Sequence, residues 1–115
     1  LFILNDPPYG TERSYNALRL ARELLKDLAG AHEAKVFLMG DAVACAKAGQ
    51  KVPQGYYNTE AMIHGVAARG APVGVCSSCM DARGITDAEL SADCKRSSMG
   101  ELAAWTAWSD KVIAF

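Results

Sequence analysis

Two cysteines spaced as Cys76-Ser77-Ser78-Cys79 follow the apolar run Ala71-Pro72-Val73-Gly74-Val75 and precede Asp81-Ala82-Arg83-Gly84. A strand that ends on a cysteine, with a helical turn starting there, sets a thiol where backbone N–H groups converge. That setting favours thiolate over thiol, and thiolate is the form that attacks sulfur or binds metal. An ordinary thiol, with a pKa of about 8.5, is only a few per cent ionised at neutral pH. A tenfold gain in thiolate takes about 1.4 kcal/mol. A helix N-terminus supplies about 0.3–1 kcal/mol, rising to ~2 where it is partly buried. The turn of Ser77 and Ser78 is therefore expected to stabilise an anion on Cys76, and Arg83 adds to this if it folds back toward the sulfur.

Cys79 leaves three readings open. It forms a redox pair with Cys76, resolving an intermediate as a disulfide; it is half of a zinc site; or it faces the core of a turn. A structural zinc needs four ligands, and Cys45, Cys94, His32 and His64 show no ligand spacing. Cys45 lies in an alanine-rich stretch and reads as packing. His64, beside an apolar stripe, reads as a surface or hydrogen-bonded histidine, and His32 as a solvated turn residue. Tyr9-Gly10-Thr11 offers a glycine before a helix, where an anion could approach the backbone. It lacks the glycine pattern and lysine of a phosphate-binding loop. Tyr56 and Tyr57 read either as a lid over the thiol or as a subunit contact.

The elements that position these residues alternate in type. Leu1–Asn5, Val36–Met39 and Pro72–Val75 are uniformly apolar runs, suited to strands buried on both faces. Thr11 is expected to cap a first helix, in which Ala17, Leu18, Ala21, Leu24, Leu25 and Leu28 recur at helical spacing. Arg19, Arg22, Glu23, Lys26 and Asp27 take its other side, and Gly30 ends it. Gly40-Asp41 turns the second strand into a small-residue helix, Ala42–Ala48. Gly49–Tyr57, with two glycines and a proline, reads as a mobile loop. Asn58 or Thr59 caps a helix whose stripe is Met62, Ile63, Val66 and Ala67, stopped by Gly70. A fourth strand is expected near Asp93–Arg96, then a helix over Gly100–Ser109 with Trp105 and Trp108, and a last strand over Lys111–Phe115.

Alternation of this kind predicts right-handed crossovers and a mainly parallel sheet between helix layers, in one α/β domain spanning residues 1–115. Functional groups in such sheets collect beyond the carboxyl ends of the strands. Pro7–Thr11, Gly40-Asp41 and Cys76 all fall there, so three distant loops should meet on one rim.

Those loops carry a resemblance. Pro8-Tyr9-Gly10-Thr11, Phe37 to Val43, Gly49-Gln50-Lys51 and Val75 to Ile85 resemble the DsrE/DsrF-like family, in its branch of small YchN-type proteins. Glu101 to Trp105 and Asp110 to Phe115 are similar too. The resemblance implies a three-layer α/β/α fold with a five-stranded parallel sheet ordered 4-3-2-1-5, and assembly into dimers, trimers or hexamers. It implies sulfur carried as a cysteine persulfide, with the sulfur-accepting position on Cys76. Cys79 belongs to the YchN-like branch and is absent from the branch that thiolates transfer RNA. Tyr9, Gly10, Thr11, Asp41, Gln50 and Tyr56 fall on the loops that would set access and partner choice.

Half of the residues are hydrophobic, 22% are charged, and the net charge is -1, so nothing marks a surface for nucleic acid or anionic membrane. No stretch approaches the roughly 18 apolar residues of a membrane span. Leu1-Phe2-Ile3-Leu4 meets Asn5-Asp6 at once, unlike a secretion signal, and a start on Leu leaves room for residues upstream. Four cysteines are then read as reduced thiols in the cytoplasm. The expectation is a cytoplasmic, hexameric sulfur carrier without cofactor or metal, passing sulfur between donor and acceptor proteins. The rival readings are a dithiol oxidoreductase using Cys76 and Cys79, and a non-catalytic oligomer that binds small anions.

Overall fold

The computed structural model of the chain describes residues 1–26, 30 and 32–115. Five strands form one sheet: β1 (Phe2–Leu4), β2 (Val36–Leu38), β3 (Val73–Cys76), β4 (Cys94–Ser97) and β5 (Ile113–Ala114). The order is β4-β3-β2-β1-β5, and every neighbouring pair is parallel. The α-helices are α1 (Arg13–Leu24), α2 (Thr59–Ala67), α3 (Ser77–Ala82) and α4 (Met99–Trp108).

Chirality assigns the layers. From β1 to β4 each connection steps the same way across the sheet, so right-handed crossovers put α1, α2 and α3 on one face. The connection from β4 to β5 returns past β1, so α4 covers the opposite face. Trp105 of α4 meets Phe37 of β2 edge-on, with ring centroids 6.0 Å apart. The uniformly apolar strands are buried as their composition requires. Leu4, Phe37, Leu38 and Val75 are fully buried, with Leu18, Ile63 and Met80 packed into the same core. Each large side chain so buried contributes about 1.5–3 kcal/mol.

Element ends differ from the sequence expectation in instructive ways. Glu12, in place of Thr11, occupies the N-cap of α1. The Thr11 hydroxyl instead donates to the Asp6 carboxylate at 3.0 Å, and the Ser14 hydroxyl donates to the Asp6 carbonyl at 2.6 Å. Thr11 also accepts the Arg13 N–H, at a long 3.4 Å, so its hydroxyl serves the helix start and Asp6 together. Helix α1 ends at Leu24, which is 38% exposed, while Leu25 still packs on the core. Asp27 and Leu28, expected on opposite sides of this helix, lie outside the described residues. The segment expected as a helix over Ala42–Ala48 is a 3-10 helix over Gly40–Ala46. Its Ala42 N–H donates to both the Met39 and Asn5 carbonyls at 3.1 Å. A tight turn of small buried side chains fits there, close over the strand ends. Asn58 caps α2 and Ser98 caps α4, each accepting a backbone N–H three residues on.

Candidate functional site

Cys76 is the last residue of β3, pairs with Ser97 of β4, and is the N-cap of α3. The strand buries it to 3% exposure, and the turn into α3 aims the following N–H groups at its sulfur. The Ser78 hydroxyl lies 3.4 Å from Sγ. Burial pushes the Cys76 thiol up. The Ser78 hydroxyl, the Cys79 thiol and the N–H groups of Cys79 and Ser78 outweigh it, leaving the thiol below its ordinary pKa. The two N–H groups do so without closing a cap bond of ordinary geometry.

Cys79 is held differently. Its sulfur accepts the Gly40 N–H at 3.2 Å, across the rim from the end of β2. Gly40 has φ +57, and a Cβ there would lie 3.3 Å from the Asn5 carbonyl oxygen, so only glycine presents this amide without strain. Burial and the neighbouring Cys76 keep the Cys79 thiol above its ordinary pKa, with Gly40 and Arg83 pulling the other way.

Arg83 does not reach back to the Cys76 sulfur. Its guanidinium is spent on Asp41, at 2.6 and 3.0 Å, and on the Cys79 carbonyl at 3.0 Å. It therefore ties the end of α3 to the segment after β2, and acts on Cys79 rather than on Cys76. The opposite side of α3 is held by Arg96 of β4, which bonds Asp81 and Asp87 and makes a long 3.5 Å contact to the Ser77 carbonyl. Sequence reasoning singled out neither Gly40 as a donor nor Arg96 as a clamp. Gly40 carried a signal, a glycine directly beyond a strand end, whereas Arg96 carried none.

The two other cysteines are placed for packing. Burial lifts Cys45 to about 12 and Cys94 to about 11. Among the described residues no three His, Cys, Asp or Glu side chains gather as a metal site. His64, on exposed helix surface, pairs with Asp93 at 2.9 Å.

A sequence model of the DsrE/DsrF-like family matches residues 1–115. The chain belongs to the DsrE/DsrF-like family. Protein YchN of Escherichia coli is 37% identical over 115 residues, covering 100% of this chain and 97% of that protein. Uncharacterized protein MJ0989 of Methanocaldococcus jannaschii is 35% identical over 113 residues, covering 98% and 96%. The crystal structure of the Escherichia coli YchN protein superposes with a TM-score of 0.92 at 38% identity, over 99% of this chain and 96% of that one. The five-stranded parallel order implied by the resemblance is the order found here.

The remaining loop residues of this DsrE/DsrF-like chain form a separate cluster. Gln50 donates to the Cys45 and Lys47 carbonyls, each at 2.9 Å, and accepts the Tyr9 and Thr59 hydroxyls. A side chain so fully engaged pins the loop rather than offering itself to a ligand. The loop backbone is tied further by Glu60, which accepts the Gly49 and Gln50 N–H groups at 3.1 and 2.8 Å. Tyr9, Gly10, Thr11, Tyr56 and Tyr57 line an open cleft of about 440 Å³ with Val52 and Pro53. Tyr57 stacks on Tyr15 at 4.2 Å and donates its hydroxyl to the Thr11 carbonyl, whereas Tyr56 is 72% exposed. The acidic groups Asp6 and Glu12 border the start of α1, which disfavours the anion expected near Gly10. Among the described residues, no helix is long and apolar enough to cross a membrane.

Proposed function

We propose that this chain carries sulfane sulfur as a persulfide on Cys76, taking it from a donor protein and handing it to an acceptor. The observation that carries the reading is the contrast among thiols. Cys76 alone of the four is drawn below its ordinary pKa, by donors that serve an anionic sulfur, while burial raises Cys45 and Cys94 far above theirs. A persulfide is more acidic than a thiol, so the same hydroxyl and N–H groups hold it as the anion. The test is mass spectrometry after incubation with a sulfane donor: one sulfur is gained on Cys76, Cys76→Ser gains none, and Cys79→Ser still takes sulfur up. Loss of two hydrogens in the native chain, with no sulfur gained on Cys76 even in Cys79→Ser, refutes the carrier and favours the second reading, a dithiol oxidoreductase, which the placement of Cys79 one turn on from Cys76 at the N-cap of α3 supports.

The carrier works as a cytoplasmic homo-oligomer, a hexamer built from trimers. Supporting this is α4, apolar nearly all round, with Ala103, Ala104, Ala107 and Trp108 facing outward. A helix apolar on every side belongs in an interior. Exposed Tyr56 supplies a second contact. Sedimentation equilibrium at micromolar concentration decides, and a single species at 12.3 kDa refutes the assembly.

A further inference from the structure

A simple carrier needs one sulfur, yet a second is held against it by a donor of its own. Cys79 is the third residue of α3, one turn on from Cys76 at its N-cap. On its other side it receives the Gly40 N–H at 3.2 Å, from a residue whose backbone excludes a side chain. Arg83 fixes the same turn by bonding the Cys79 carbonyl at 3.0 Å. Cys79 is thus held one turn from Cys76, with a backbone donor placed to stabilise its sulfur as an anion.

We propose that Cys79 discharges the persulfide on Cys76, releasing the outer sulfur as hydrosulfide and closing a Cys76–Cys79 disulfide. The step rests on the sulfur-carrier reading above. The Cys79 thiolate attacks Cys76 Sγ, the inner sulfur of the persulfide. A bond forms between the two cysteine sulfurs as the bond from Sγ to the outer sulfur breaks. The outer sulfur, anionic in the persulfide, leaves with the electron pair and takes up the proton that Cys79 gives up as it attacks, departing as hydrosulfide. One sulfane sulfur is reduced to sulfide, and the two cysteine sulfurs are oxidised to a disulfide. A dithiol reductant then restores both thiols by exchange and is itself oxidised to a disulfide.

Attack on the inner sulfur closes a ring across the first turn of α3, whereas attack on the outer sulfur would only move it to Cys79, an outcome the test reads. Residues three apart on a helix have Cβ atoms about 5–6 Å apart. A disulfide needs about 3.5–4.5 Å, so a slight tightening of the first turn of α3 closes the bond.

The test loads the full chain with sodium tetrasulfide, removes the excess, and follows intact mass alongside sulfide trapped with monobromobimane. In the native chain the added sulfur is lost as one equivalent of sulfide, leaving a species two hydrogens lighter than the reduced protein. In Cys79→Ser, and in Cys79→Ala as a check on the hydroxyl, the persulfide persists at least about tenfold longer, since a positioned internal thiol acts at high effective concentration. Equal lifetimes in native and variant chains, sulfur recovered on Cys79, or sulfide release without a disulfide each overturn the step while leaving Cys76 a carrier. A chain that never gains sulfur on Cys76 overturns both the step and the reading beneath it.

Discussion

Removing the Ser78 hydroxyl should change the reactivity of Cys76 in a way that reverses sign with pH. Of the contacts that lower this thiol, the Ser78 hydroxyl ranks first, and its oxygen is 3.4 Å from Sγ. Hydrogen bonds to charged groups are worth about 1.5–3 kcal/mol. This one is long, so a value just below that range, about 1.4 kcal/mol, is the fitting figure, equal to a tenfold loss of thiolate at neutral pH. The more basic thiolate is also the better nucleophile, and with a Brønsted slope of about 0.4–0.5 it recovers roughly threefold. Ser78→Ala should therefore be alkylated by iodoacetamide about threefold more slowly at pH 7 and about threefold faster once fully ionised. Site-resolved alkylation rates against pH would show the two curves crossing. A drop of equal size at every pH would mean altered access rather than altered charge. Identical curves, or Cys45 or Cys94 reacting before Cys76, would refute the reasoning.

Three further outcomes follow from the packing. The Cys45 thiol is held near 12 when folded, well above the about 8.5 of an ordinary thiol, so its contribution to stability is whole below that value and is lost as pH rises toward 12. Urea titrations between pH 9 and 11 should show stability falling by up to about 1.4 kcal/mol per pH unit for this thiol, with a shallower fall in Cys45→Ala; equal slopes would contradict it. Gly74→Ala should cost about 1–3 kcal/mol, because a Cβ there meets Phe37 and Ser97 at 3.2 Å on both sides, and an unchanged denaturation midpoint would show that the sheet yields freely. Glu89, which accepts the Thr86 N–H and the Lys47 ammonium, should titrate near 2 by carbon-13 shift, its contribution whole above pH 4.5 and lost as pH falls from there toward 2; a midpoint at the ordinary 4.5 would mean those bonds are absent in solution.

The layout of the fold was legible because its strongest signals are local. Val36–Leu38 and Val73–Val75 are short apolar runs that only a doubly covered strand accommodates, and the stripe of Ala17, Leu18 and Ala21 belongs to one helix face. The strand ends, and so the position of Cys76 on the rim, follow from where those runs stop. Tertiary partners were not legible. The Gly40 amide meets Cys79 across 39 positions of sequence, and that meeting depends on a register no local pattern encodes. Thr11 is a good capping residue by type, and its hydroxyl does accept the Arg13 N–H at 3.4 Å, but its second bond, to Asp6, was not signalled by type. Gln50 carries no motif that distinguishes a binding residue from a pinning one. Arg83 lies at the right sequence distance to approach the thiol, but an acidic residue brought beside it by the sheet claims it first.

Sheet order, more than the cysteine motif, sets the chemistry of this rim. Helix α3 has six residues, too few to persist alone. It persists because β3 lies between β2 and β4. The register pairs Leu38 with Val75, so the segment just beyond β2 stands beside the segment just beyond β3. That brings the Gly40 amide to Cys79 and Asp41 to Arg83. On the other flank Cys76 pairs with Ser97, and Arg96 reaches Asp81 and Asp87. Exposed ion pairs of this kind contribute little stability, about 0–1 kcal/mol each. Their consequence is positional: they fix a short turn from both sides, and with it the hydroxyl of Ser78 and the two sulfurs. A Cys-x-x-Cys turn grafted at the edge of such a sheet would lack one of the two clamps, and its first cysteine would titrate more like an ordinary thiol.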